Sequence, residues 1–112
     1  MECTFCRIIS GEIESNILYQ DEQVIVFRDI SPQAPVHLLV ASKEHFESIA
    51  DLTDDDAPLM GHMLAVANRL AREKGIHERG YRLVVNSGPD GGQVVPHLHL
   101  HLLGGRQMGS LG

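Results

Sequence analysis

The segment His97-Leu98-His99-Leu100-His101-Leu102 alternates imidazole and leucine side chains without a break. Successive side chains of a β-strand point to opposite faces, so three imidazoles line one face and three leucines the other. Neighbouring imidazoles then start roughly 6.6 Å apart at the backbone, from about 3.3 Å of rise per residue. The leucine face must belong to the core. The histidine face must be a surface or a cleft.

The remaining elements are read around this strand. Residues 3–10 form a short helix ended by Gly11, and residues 17–20 and 24–29 form two strands about the turn signal Asp21-Glu22. Ser31-Pro32-Gln33-Ala34-Pro35 is a loop, because its prolines lack a donor and push their predecessors to extended forms. Residues 37–41 read as a third strand. A long helix runs over about 54–74, with Thr53 as N-cap, Asp56 three residues on, and Gly75 closing it. Asp54, Asp55 and Asp56 read as a solvated first turn favoured by the helix dipole, not as an interaction patch. Leu59, Met60, Met63, Leu64, Ala67, Leu70 and Ala71 make one buried stripe. Residues 81–86 form a fourth strand, 87–92 a glycine-rich loop and 96–103 a fifth strand. Five strands and one long helix without βα alternation indicate a single α+β domain over 1–112, built on a five-stranded antiparallel sheet.

Nine Lys and Arg against fifteen Asp and Glu give a net charge of −6. That balance argues against a nucleic-acid or anionic-membrane binder, since no excess positive charge exists to release counterions. No apolar run approaches the ~20 residues of a membrane span, and Glu2 and Cys3 open no signal-peptide pattern. A cytoplasmic protein is expected. Two cysteines are too few for a disulfide framework.

Three readings of the histidine face compete. A polar face that happens to use histidine is disfavoured, because Val, Ile, Thr or Tyr would serve a strand better. Two histidines at i and i+2 could instead share a tetrahedral metal ion. In the third reading a central imidazole attacks an electrophile while its neighbours orient it and bind an anion; a neutral ring needs no activation at pH 7. Gly88, Gly91 and Gly92 lie just before the strand, and the N–H groups of such a loop can approach a phosphate. That context favours nucleophilic catalysis at phosphorus.

These residues resemble the histidine triad (HIT) superfamily, marked by His-x-His-x-His followed by apolar residues, here His97 to Leu103. The stretch from Phe27 to His37, then Gly91-Gly92-Gln93, then Leu103-Gly104-Gly105-Arg106, is similar to the Hint branch in particular. The resemblance implies a homodimeric nucleotide hydrolase or transferase, joined into a ten-stranded sheet and acting at the α-phosphate of purine nucleoside phosphoramidates. It implies His99 as nucleophile, His101 against the phosphate, His97 holding the nucleophile's surroundings partly through its carbonyl, and His37 completing the cluster. Asp29 would bind the ribose hydroxyls; Phe5, Ile8, Phe27 and Ile30, with Ile13 at the edge, would form the base pocket. Arg28 would lie at the pocket rim, and Asn86, Gly92 and Gln93 on the phosphate side. From the residues alone, the apolar set could equally be core, Asp29 a turn residue and His37 a lone strand histidine.

Val94 stands where some members carry serine, Arg28 where some carry histidine, and no aromatic tail follows Gly109; these departures leave the leaving group open. Cys3-Thr4-Phe5-Cys6 supplies half a tetrahedral zinc site. By resemblance to relatives that have this pair, His45 and His97 would complete a structural zinc site. Two free thiols are the alternative. Catalysis requires no cofactor on this reading. The competing functions are a nucleotide-binding module with little chemistry, a zinc-dependent hydrolase and a dinucleoside polyphosphate hydrolase.

Overall fold

Alternation along the central strands sorts the apolar residues into two clusters on opposite faces of one sheet. The computed structural model describes residues 3–112, so the first two residues of the expected 1–112 domain lie outside the described residues. A short helix α1 (Thr4–Ile9) precedes β1 (Ile17–Gln20), β2 (Val24–Arg28) and β3 (Val36–Ser42). The long helix α2 (Ala57–Glu73), β4 (Tyr81–Val84) and β5 (His99–Gly104) follow. The strands run antiparallel in the order β1-β2-β3-β5-β4, an α+β architecture.

Val24, Val26, Leu38, Val40, Leu100 and Leu102 face α2 and join Met63, Val66 and Leu70 in the larger cluster. Leu98, Leu100 and Leu102 are all buried there, each worth about 1.5–3 kcal/mol relative to an exposed side chain. On the opposite face Ile25, Phe27, Leu39 and Ala41 pack against Phe5 and Ile8 of α1. The register pairs Ala41 with His99, Leu39 with His101 and His37 with Leu103. His37, His99 and His101 therefore share the α1 face.

Several boundaries differ from the sequence expectation for physical reasons. β5 begins at His99, not residue 96, because the Leu98 N–H donates to the Phe46 carbonyl at 2.8 Å and the His97 N–H to Val95 at 2.8 Å. β4 stops at Val84, two residues short of Asn86, and β2 stops at Arg28, one short of Asp29. β3 extends one residue beyond expectation at each end. Asp54–Asp56 is a 3₁₀ turn, and the α-helix proper starts at Ala57 with Pro58 in its first turn, where a missing N–H costs nothing. At this cap the Asp56 carboxylate accepts the Thr53 N–H at 2.9 Å. In the stripe, Leu64 is 43% exposed and Val66 is buried in its place. Leu64 lies about 100° around the helix from Met63, beyond the edge of the covered arc.

Distant residues also meet at the β1–β2 turn. Asp21 Oδ1 accepts the Gln23 and Val24 N–H groups, while Oδ2 accepts the Tyr19 hydroxyl at 2.7 Å and His62 Nε2–H at 2.6 Å. Partial burial opposes ionisation, but these hydrogen bonds win and hold the Asp21 carboxyl well below the usual range. His62, to which the sequence assigns no role, thus ties α2 to the sheet.

Candidate active site

On the α1 face, β3 and β5 and the loops beyond them enclose a cleft of about 420 Å³. Its apolar end is built from Phe5 and Ile8 of α1 and Phe27 of β2, which are at once core and lining. The Phe5 ring meets Phe27 and His99 edge-to-face, with centroids 5.1 and 5.0 Å apart. Ile30 also lines the cleft but is 96% exposed, so it stands at the mouth and is not core. Arg28, Asp29, His37, Asn86, Gly92, His99 and His101 lie along the same cleft.

Ile13, Gln93 and His97 do not line it. Ile13 packs beside the smaller apolar cluster. Gln93 braces the glycine loop, accepting the Gly88 N–H at 2.9 Å and donating to the Glu47 and Val95 carbonyls. The Gly92 N–H donates to Pro89 at 3.0 Å and the Gln93 N–H to Gly88 at 3.0 Å. The N–H groups of Gly88, Gly92 and Gln93 are therefore spent inside the loop instead of facing outward to cradle an anion. Gly91 is required by close approach, since a Cβ there would lie 2.4 Å from the Ser87 carbonyl oxygen.

Hydrogen-bond partners fix the state of each imidazole. His99 Nδ1 lies 2.6 Å from the His97 carbonyl and must donate to it, which leaves Nε2 with a free lone pair. His37 Nδ1 accepts the Gln33 N–H at 3.0 Å, so the proton sits on Nε2, 2.9 Å from His101 Nδ1 and 3.4 Å from Asp29 Oδ2. His101 Nδ1 then accepts, and its own proton is on Nε2. Burial lowers all three rings: His37, with Asp29 opposing; His99, with its carbonyl bond and Asp29 opposing; and His101, which His99 and His37 push further, to about 4. Near pH 7 the rings are neutral. Asp29 does two jobs, accepting the Ser31 N–H on Oδ1 at 2.8 Å as a turn residue and facing His37 with Oδ2.

The sequence did not single out Thr4, Ser15, Ser31 or Gln33, which line the cleft. Gln33 acts through its backbone, which no side-chain pattern reveals. Val94 stands at the rim, 89% exposed.

Beside the cleft, Cys3, Cys6, His45 and His97 bring four donor atoms within 4.8 Å of one another. His97 Nε2–H donates to the Ser42 carbonyl at 2.6 Å, which leaves Nδ1 bare. That nitrogen faces Cys3 Sγ at 3.2 Å, Cys6 Sγ at 3.6 Å and His45 Nδ1 at 3.1 Å. A tetrahedron with bonds of ~2.0–2.3 Å has edges of about 3.3–3.8 Å, so this two-sulfur, two-nitrogen set suits zinc. His45 Nε2 is buried without a partner, so only its Nδ1 side anchors that ring. The residues present fit the metal.

Comparison with known proteins gives concordant matches. Residues 10–108 match the family model described as HIT domain. The chain is 46% identical over 110 residues to the purine nucleoside phosphoramidase of Escherichia coli K12, covering 98% of this chain and 92% of that relative. A HIT family hydrolase from Legionella pneumophila superposes with a TM-score of 0.94 at 50% identity, with 96% of each chain covered. A histidine triad protein from Clostridium difficile superposes with a TM-score of 0.95 at 42% identity, covering 100% of this chain and 97% of the other.

Proposed function

This chain belongs to the HIT domain family, and we propose that it hydrolyses the P–N bond at the α-phosphate of purine nucleoside phosphoramidates through a nucleotidyl-His99 intermediate. The observation that carries the proposal is the bond from His99 Nδ1–H to the His97 carbonyl, which aims an unprotonated Nε2 into the cleft. The phosphoramidase name of the Escherichia coli relative supports the substrate class.

The base enters the apolar end beside Phe5, Ile8 and Phe27, and the ribose hydroxyls donate to Asp29. His99 Nε2 attacks phosphorus, the P–N bond breaks, and the amine departs with a proton from solvent water at the exposed rim, where Val94 offers no hydroxyl. His101 directs Nε2–H to the phosphoryl oxygens, held there by the His37 proton on its other nitrogen; a donor placed where charge develops stabilises the transition state. Water then attacks the same phosphorus, the P–Nε2 bond breaks with its electron pair returning to His99, and the proton lost from that water passes to solvent, leaving the nucleotide and neutral imidazole. Incubation of the protein with adenosine 5′-phosphoramidate should release AMP. Bound AMP without turnover would replace this reading with that of a nucleotide-binding module.

Asp29→Asn should raise KM for the phosphoramidate by about 10–100-fold, since a charged acceptor contributes about 1.5–3 kcal/mol to a hydrogen bond, with a smaller effect on kcat. Steady-state kinetics would test this, and an unchanged KM would remove Asp29 from the ribose site.

Cys3, Cys6, His45 and His97 would hold one structural zinc that braces α1 and the residue-45 loop against the start of β5. No step of the reaction passes through it. The purified protein should carry one zinc per chain by elemental analysis, and a chelator should lower Tm by at least about 5 °C. A Cys3→Ser, Cys6→Ser protein with undiminished zinc would disprove the site. The assembly we propose is a cytoplasmic homodimer whose two sheets join through free edges into ten strands. Among the described residues no helix is long and apolar enough to cross a membrane.

A further inference from the structure

Positive charge is gathered where α2 ends and the chain turns back into β4. Residues 69–82 carry five Lys or Arg and two Glu in a chain of net charge −6. Arg72 and Lys74 close α2, where cations offset the helix dipole. Arg69 stacks over the Tyr19 ring at 5.2 Å, and Arg82 donates to the Gly109 carbonyl at 2.8 Å. Arg79 has no such role. It forms no ion pair or hydrogen bond among the described residues, yet it borders a pocket of about 300 Å³ together with Arg106.

That pocket has Ile76 as its apolar floor and Gly80 and Gly105 in its wall. Both glycines have positive φ, at 103° and 92°, so the chain turns sharply there; the space at the missing Gly80 Cβ is open, whereas a Cβ on Gly105 would press on Pro35. Arg106 donates from Nε and Nη2 to the Gln33 carbonyl at 3.0 and 2.9 Å, and from Nη1 to Gln107 at 2.9 Å. Three of its five N–H groups thus hold it in place, and two are left over. Two carbonyls orient the guanidinium without neutralising it. No carboxylate lines the pocket.

We propose that this pocket is an oxyanion site for a phosphate group, bound between Arg79 and the free donors of Arg106. Guanidinium forks match the geometry of phosphate oxygens, and one of the two is already immobilised, which reduces the ordering cost of binding. The source is either free orthophosphate or the phosphate of a nucleotide. The site is distinct from the cleft but joined to it by Gln33, whose carbonyl holds Arg106 while its N–H donates to His37 Nδ1.

The test is an amide NMR titration of the whole chain with orthophosphate at constant ionic strength. Saturable shifts at Gly80 and Gly105 are expected, and Arg79→Gln should weaken them at least fivefold while leaving phosphoramidate turnover intact. Arg106→Lys, which keeps the charge and loses the fork, should weaken them as well. Parallel titrations with AMP and with adenosine separate the sources. Shifts at both glycines with AMP assign a nucleotide phosphate, and shifts with orthophosphate alone assign free phosphate. Shifts confined to the cleft amides, a response equal in Arg79→Gln, or equal shifts with adenosine would each overturn the site.

Discussion

Replacing His99 with alanine is expected to cut AMP release from adenosine 5′-phosphoramidate by about 10⁵-fold, the scale of losing a covalent nucleophile, and to leave AMP affinity within about threefold. The other imidazoles cannot take over the attack. His37 has one nitrogen on the Gln33 N–H and the other facing His101 and Asp29. His101 has spent its lone pair on His37 and shows the cleft a proton. His97 is turned to Ser42 and the cysteines. Because His99 is buried against Phe5, alanine opens a void, so His99→Asn serves as a second variant of closer volume. In the wild-type protein, an acid-quenched reaction should show a chain heavier by one nucleotidyl group, absent in both variants. Loss of activity below a hundredfold would mean that water attacks phosphorus directly.

Acid should destabilise the fold well before its carboxylates titrate. The His101 pKa is about 4 in the folded chain and about 6.5 when unfolded, so between these values the unfolded chain binds more protons. Stability is therefore complete above about pH 6.5 and falls as pH drops toward 4. At ~1.4 kcal/mol per pKa unit the ceiling for His101 is about 3.5 kcal/mol. His37, also lowered by burial, adds in the same direction. Asp21 acts lower down: its depressed pKa gives stability that begins to fade only below about pH 4. Urea unfolding at pH 7, 5.5 and 4.5 would measure the slope. A flat profile, or an unchanged slope in His101→Gln, would refute it.

Much of the fold is legible in the residues because alternation is a local signal. The leucines of residues 98–102 announce the core, and their register follows from it. The start of β5 is illegible, because the Phe46 carbonyl, about fifty residues away, captures the Leu98 N–H. The knot of Tyr19, Asp21 and His62 is hidden in the same way, since contacts across such distances leave no spacing to read. Within the site, residue types reveal candidate nucleophiles and the cysteine half of a metal-ligand set, while His45 and His97 enter that set only through the family resemblance. Tautomers do not show, because they depend on carbonyls and amides that every residue has. The glycine loop illustrates the converse: its composition invites an anion, yet its donors close on Pro89 and Gly88.

His97 serves two neighbours with two chemically independent parts. Its ring belongs to the cysteine cluster, while its carbonyl, which any residue possesses, orients the His99 ring. The two duties can therefore be lost separately over descent. Loss of Cys3 and Cys6 would take the thiols from the ring, yet its Nε2–H would still hold the Ser42 carbonyl and its edge would still pack on Phe5, a wall of the cleft. The first histidine of the three is thus a keystone between two neighbourhoods, and a change of its ring would be felt by β3 and α1 as well as by the thiols.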